Sequence, residues 1–416
     1  MNGLAAALKH GADRGSAGAG RHGMRRVLVA GEVALAVMLV LGATLLARTV
    51  YNLARADAGF DRSRLVTFTM TLPLATSEPD TRARSYQRLL ETLRGTPAIE
   101  TATAVSGLPF DYENSSEETR IENYISRTGQ PWEVAYNQLV MSDYFETMRI
   151  PIVEGRTFDR TDIASHRPVV VVNETFARNV WKGRSPIGSR VRPFVYGVGQ
   201  LSWHTVIGVA KDVSQRSINS ETRPELYIFA EEEQAAPATM HVIVRTPSSP
   251  AALTGPLQRL VKDVDPAVPI SRLREMSDVF ADSIRRPRLL AQLLGAFAVV
   301  GLLLAAVGTY GLLSYVVAQR RREIGVRMAL GAARSTVMVL ILRQGSLLIA
   351  GGIILGLAGA VAGRQLIASL LFGVEPNDVS TVAAVMTAIA AVASVACGLP
   401  AWRASRVDPA IVLRAE

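Results

Sequence analysis

The chain has 416 residues, 49% hydrophobic and 19% charged, with a mean hydropathy of +0.22. That balance is too apolar for an ordinary soluble domain, and the apolar excess sits at the two ends, leaving a mixed middle. The formal charge of +9 would suit nucleic acid, but its distribution argues against that target: the arginines flank apolar runs, as on membrane spans, and do not line one surface among aromatics.

Residues 1–24, rich in Gly and Ala, are expected to be a flexible cytoplasmic leader. Residues 25–47 contain "VLVAGEVALAVMLVLGATLLA". A hydrocarbon core of about 30 Å needs roughly 20 apolar residues as helix, so this reads as transmembrane helix 1. It is too long for the apolar region of a cleaved signal peptide. Glu32 lies close to Arg25 and Arg26, and its carboxylate is expected to snorkel to the headgroups.

Residues 48–288 read as a large extracytoplasmic α+β domain. Strands are expected at 65–70, 134–140, 168–172, 205–213, 225–229 and 241–246, where β-branched or aromatic runs end in turn residues. Helices are expected at 81–94, at 173–181 with Asn173 as N-cap, at 250–265 and at 273–286, the last feeding into the membrane. The polar run "DYENSSEETR" (111–120) is expected to be an exposed loop.

Three more spans follow: 289–318, 346–363 and 379–399. The first of these exceeds what a bilayer needs and should project beyond it. Between the spans lie a loop at 319–345 and a short outer loop at 364–378, and residues 400–416 form a tail. The 319–345 loop carries Arg320, Arg321, Arg322, Arg327, Arg334 and Arg343, whereas the outer loop has only Arg364. Positive-inside therefore places 319–345 and the tail in the cytoplasm, and 48–288 outside. The fold class is an α-helical membrane protein with four transmembrane helices and an α+β domain inserted between helices 1 and 2. Trp402 and Arg403, directly after the last span, read as an interfacial anchor. Gly352, Gly356, Gly359 and Gly363 recur at spacings that permit close helix approach, a candidate packing seam.

Catalytic chemistry is absent from the pattern. "GRSPIGSR" (183–190) has two glycines at phosphate-loop spacing, but Arg190 ends it where Lys then Ser/Thr are required. The five histidines are scattered without metal-ligand spacing, no G-x-S-x-G elbow occurs, and the lone Cys397 permits no intrachain disulfide. No enzyme activity, metal or cofactor is expected.

"QRRREIGVRMALGAARSTVMVLILRQG", the glycine-rich run after it and "PAWRASRVDPAIVLRAE" resemble the membrane half of the MacB/FtsX superfamily of ABC transporter permeases. "AGEVALAVMLVLGATLLARTVYNL", "SDYFETMRIPIVEGRTFDRTD" and "VVVVNETFARNVWKGRSPIGSRV" resemble that family's first span and periplasmic core domain. The wording is nearest to the second half of the duplicated, acidobacterial-type permeases, a resemblance that implies a stand-alone half or a fragment of a longer frame.

The resemblance implies a mechanotransmission permease in the bacterial cytoplasmic (inner) membrane. ATP would be bound and hydrolysed by a separate ABC-type ATPase subunit, and a second permease copy or homologous half would complete a dimer. Movement of the periplasmic domain would export or extract an antibiotic, peptide or lipoprotein, with periplasmic partner proteins a further implication. The alternative is a non-transporting FtsX-like regulator or sensor. Carried over by position, the ATPase-coupling helix falls on Glu323, Ile324, Gly325, Arg327, Met328, Leu330 and Gly331. Ile324 and Met328, four apart, would give it an apolar ridge facing the partner.

Overall fold

The computed structural model describes residues 3–72, 79–111, 116–126, 129–165, 167–196, 198–218, 221–231, 236–264, 269–330, 333–365, 371–374 and 378–406. The chain forms two compact units: residues 54–285, and the two ends together, 1–53 with 286–416.

In the unit built from the ends, Gly23–Arg55, Arg285–Gln319, Arg334–Ala362 and Ser380–Ala404 are long and apolar enough to cross a membrane. The first belongs to helix α1 (Gly3–Arg55), which corrects the expectation of a flexible leader. No proline precedes position 73, so every residue there keeps the N–H donor a helix needs, and the glycines weaken the helix without ending it. Later come α8 (Arg285–Gln319), α9 (Arg321–Ala329), α10 (Arg334–Ala362) and α11 (Val379–Ala404). Helix α10 starts well before the expected residue 346. Val337, Ile341, Gly345 and Ile349, each four apart, are all buried, so one face keeps packing through the supposed loop. The 319–345 connection is thereby reduced to α9 and two short joins. The apolar centre of this unit includes Val37, Leu41, Ala305, Ile341, Val385 and Ile389.

The other unit has twelve strands among the described residues. They are β1 (Leu65–Thr71), β2 (Thr101–Val105), β3 (Ser116–Ile121), β4 (Trp132–Val140), β5 (Ile152–Gly155) and β6 (Val169–Asn173). After these come β7 (Arg190–Val195), β8 (Gly199–Gln200), β9 (His204–Ala210), β10 (Glu225–Phe229), β11 (Thr239–Arg245) and β12 (Ile270–Glu275). Its helices are α2 (Pro79–Arg94), α3 (Tyr144–Met148), α4 (Arg160–Ala164), α5 (Glu174–Trp181), α6 (Pro250–Val264) and α7 (Met276–Ser283).

The pairing resolves into two lobes. Strands β2-β11-β1-β12 form an antiparallel sheet. With α2 joining β1 to β2 and α6 joining β11 to β12, this is the split βαβ arrangement of a ferredoxin-like lobe. Everything between β2 and β11 is an insertion into it. In the insertion β10 pairs with both β6 and β4, and the ladder β6-β9-β7-β3-β4 completes a closed ring of six strands. Closure leaves those strands no free edge. One apolar core runs through both lobes, from Phe68, Leu89 and Leu257 to Val172, Phe176 and Ile228.

Two expectations are corrected here. The supposed loop 111–120 becomes β3 from Ser116 onward, while 112–115 lie outside the described residues. Thr119 and Ile121 turn inward while Glu118 and Arg120 turn out, so a half-solvated strand passes for a loop. The supposed helix 273–286 begins as β12, held by pairing to β1, and only α7 is helical before Ile284 caps it.

Candidate functional site

Helix α9 is one short, basic helix between two long apolar ones. Glu323 and Arg327, one turn apart, pair at 2.7 Å on its exposed side. Ile324 is 6% exposed and belongs to the apolar centre of the bundle with Leu313, Val337, Ala401 and Ala404. Gly325 is buried beside it and Met328 is half-buried against the same cluster. The ridge expected to face a partner is therefore turned inward. The expectation fails because the spacing of Ile324 and Met328 defines a face without saying which neighbour covers it. Val326 and Leu330 are the exposed apolar residues of the segment, Leu330 at 83%. Gly331 lies outside the described residues.

The glycine run of α10 packs within the chain. A Cβ on Gly352 would stand 2.7 Å from Val33 Cβ and 2.9 Å from the Ala30 carbonyl oxygen. One on Gly356 would stand 2.7 Å from the Ala34 carbonyl oxygen and from Val37 Cβ. One on Gly359 would meet only the Met38 thioether, at 2.6 Å, and Gly363 faces nothing but its own helix. The first three thus bring α10 onto α1, by the close approach that small residues allow in a bilayer. Alanine at Gly356 is expected to cost about 1–3 kcal/mol, because a carbonyl oxygen cannot swing aside. Gly359→Ala should cost much less, since a methionine can. Thermal unfolding in detergent measures this order; equal shifts for the two variants would contradict the seam.

Polar contacts secure both ends of the bundle. Asp378 caps α11 by accepting from Ser380 N and Thr381 N, and Arg48 on α1 donates to its carboxylate. Arg48 also donates to the Ser380 and Thr381 hydroxyls, each at 2.8 Å. The Thr381 and Ser380 hydroxyls and the Arg48 charge hold the Asp378 carboxyl below its usual value. Asn52 Nδ2 donates to the Gly373 carbonyl at 3.0 Å. At the far end of α11, Arg403 donates to the Tyr310 hydroxyl at 2.6 Å, while Arg406 stacks on Trp402 at 4.0 Å. Arg403, read from sequence as an anchor, is also a clasp between α11 and α8. Glu32 corrects another expectation. Its Oε2 is buried and pressed against Gly308, with no hydrogen-bond partner among the described residues, so it does not snorkel.

The strand-rich unit carries two buried ionisable centres that the sequence did not mark. Arg245, 1% exposed, donates to the carbonyls of Thr147 (2.7 Å), Ser63 (2.9 Å) and Asp61 (2.9 Å), and to the Asp61 carboxylate at 3.2 Å. Burial opposes ionisation of Asp61, but bonds from Ser63 and the charges of Arg245 and Arg149 outweigh it and lower its pKa. Glu225 opens β10 and is wholly inside, accepting from Gln215 Nε2. Burial pushes it up to about 8; the Asp212 charge acts the same way, against the polar neighbours Tyr227 and Gln215. Asn173 is an N-cap as expected: its Oδ1 accepts from Phe176 N at 2.8 Å and also from Glu225 N at 3.0 Å. The segment 183–190 runs from α5 into β7, the reverse of the strand-to-helix setting of a phosphate loop. No group of three or more His, Cys, Asp or Glu poised for a metal occurs among the described residues.

Residues 28–260 match the MacB-like periplasmic core domain family, and residues 295–409 match the FtsX-like permease C-terminal family. The macrolide export ATP-binding/permease protein MacB of Rhodospirillum rubrum is 30% identical over 284 residues, covering 64% of this chain and 41% of that protein. The pyoverdine export ATP-binding/permease protein PvdT of Pseudomonas savastanoi pv. phaseolicola is 25% identical over 280 residues, covering 64% and 40%. The chain thus spans about two fifths of the curated relatives it matches. Among solved structures, the periplasmic region of MacB from Actinobacillus actinomycetemcomitans aligns at a TM-score of 0.37 and 17% identity, covering 55% of this chain and 94% of that one. With one family match covering more than half of the chain and a second covering its C-terminal spans, the protein belongs to the MacB/FtsX superfamily of ABC transporter permeases.

Proposed function

We propose that the chain is the permease subunit of an ABC exporter in the bacterial cytoplasmic membrane, with residues 54–285 on the outer side and α9 in the cytoplasm. The observation that carries this reading is the order of the two family matches along one chain, a core domain and then permease spans, with α9 between its second and third spans. ATP is bound and hydrolysed by a separate ATPase subunit, which seats on α9. The permease works as a pair, with a second copy or a homologous half. Hydrolysis is converted into movement of the outer domain, which drives export or extraction of its substrate. The relatives' names, macrolide and pyoverdine export, support an export role for this chain as well.

The exposure pattern of α9 selects the test. Ile324→Asp would disrupt the bundle whether or not a partner binds, because Ile324 is already buried inside it. Leu330 is free to be covered, so Leu330→Asp leaves the bundle intact and puts a carboxylate into the docking contact. Burying an unpaired charge costs several kcal/mol, so co-purification of the ATPase should fall at least tenfold while thermal stability stays at the parent's value. Arg334→Ala should change association little, as rim charges do. Retention of the ATPase by Leu330→Asp at parental levels would remove α9 from the interface.

A further inference from the structure

A cavity of about 240 Å³ lies between α8, α9 and the first turns of α10. Its basic rim is Arg320, Arg327 and Arg343, and its walls include Val316, Val339 and Leu340. Arg327 is neutralised by Glu323. Arg320 and Arg343 have no ion pair among the described residues, and Glu323, the one carboxylate in the cavity's described lining, is already paired with Arg327. A second cavity of about 450 Å³ shares Val316 and Gln344 with the first and continues between α8 and α10 past Leu312, Leu347 and Leu348, with Arg26 of α1 and Thr309 also on its wall. Together they form a groove with a cationic mouth and a mainly aliphatic track, with Arg26 a further cation on its wall, beside two helices long enough to cross a membrane.

We infer that this groove binds an anionic phospholipid, with its phosphate between Arg320 and Arg343 and an acyl chain along Val316, Leu312 and Leu348. Arginine is suited to the mouth because its planar fork donates two parallel hydrogen bonds to phosphate oxygens. Basic pockets between helices at a membrane surface select anionic headgroups on this principle. The apolar continuation decides between lipid and free phosphate. An inorganic anion gains nothing from Leu312, Leu347 and Leu348, whereas an acyl chain gains with each CH₂ it buries against them. Val339, 62% exposed, and Leu340 also leave the groove's side open, so a lipid can enter laterally. The site does not depend on the ATPase and can be tested on the purified chain alone.

The test uses the full chain, delipidated in a neutral detergent. Dioleoyl phosphatidylglycerol is expected to raise its unfolding temperature and to survive as a one-to-one adduct in native mass spectrometry. Phosphatidylcholine and millimolar inorganic phosphate should do neither. Arg320→Gln combined with Arg343→Gln should weaken phosphatidylglycerol binding at least tenfold, and Arg364→Gln should leave it unchanged. Val316→Trp keeps every charge but fills the joint between the two cavities, and should weaken binding comparably. Equal binding of phosphatidylcholine would overturn the site, as would unchanged affinity in the double arginine variant. Competition by inorganic phosphate, with Val316→Trp silent, would reduce it to a simple anion site and also overturn the proposal.

Discussion

Arg245→Ala is expected to destabilise the strand-rich unit by about 3–5 kcal/mol, the range for breaking a buried charged centre. The side chain is the donor for three backbone carbonyls and for the Asp61 carboxylate. Removing it strips those acceptors of their partner inside protein, where each lost bond carries a desolvation cost of ~1–3 kcal/mol. These acceptors lie just beyond the end of α1, at Asp61 and Ser63, and at Thr147 in α3, so Arg245 ties β11 to both segments. Arg149 reaches the same Asp61 carboxylate at 2.9 Å and would be left as its only ion-pair partner among the described residues. Arg245→Lys should recover part of the loss, since an ammonium restores the charge but not the planar fork. Urea unfolding followed by limited proteolysis of residues 54–285 reads the effect. A loss below about 1 kcal/mol for the alanine variant would mean that water replaces the guanidinium without penalty.

How much of this was legible in the sequence depends on the range of the interaction. The four spans were, because an apolar run of roughly 20 residues is a local signal that needs no partner. Their ends were not: the early start of α10 depends on Val337 and Ile341 packing on neighbours far along the chain. Strands β6, β9 and β10 announced themselves as β-branched runs. "TATAV" and "SEETRI" did not, since β2 is made of small residues and β3 of charged ones, and each is a strand only by virtue of its partners. The closing pair β10–β4 joins residues some ninety positions apart, which no window detects. Among site residues, the glycine spacing in α10 pointed to a seam, and the fold adds that α1 fills it. The direction of Ile324 was not recoverable, because a helix of this length between two spans has two apolar choices and only the bundle decides.

The largest pH effect should come from Glu225. Its carboxyl is wholly buried at the start of β10, where burial raises it from 4.5 to about 8, with no cation paired to it among the described residues. Between those values the unfolded chain has released this proton and the native chain still holds it, so raising pH favours unfolding. The contribution is fully present below about 4.5 and is lost as pH rises through about 8. At 1.36 kcal/mol per unit, the difference is on the order of 5 kcal/mol as an upper figure, since water entry and relaxation reduce it. Glu225→Gln keeps the shape and the bond to Gln215 while removing the titration. The variant should match the parent near pH 5 and exceed it near pH 9, by roughly 10 °C in melting temperature for a unit of this size. Fluorescence of Trp132, Trp181 and Trp203, all within residues 54–285, follows the transition. Asp212, Tyr144 and Tyr227 are the titratable neighbours. Burial lifts both tyrosines well above their ordinary range, so they stay neutral through this window. A parallel pH profile for parent and variant from 5 to 9 would show that Glu225 is ionised in the native fold, and its burial would then have to be balanced by a counter-charge or water.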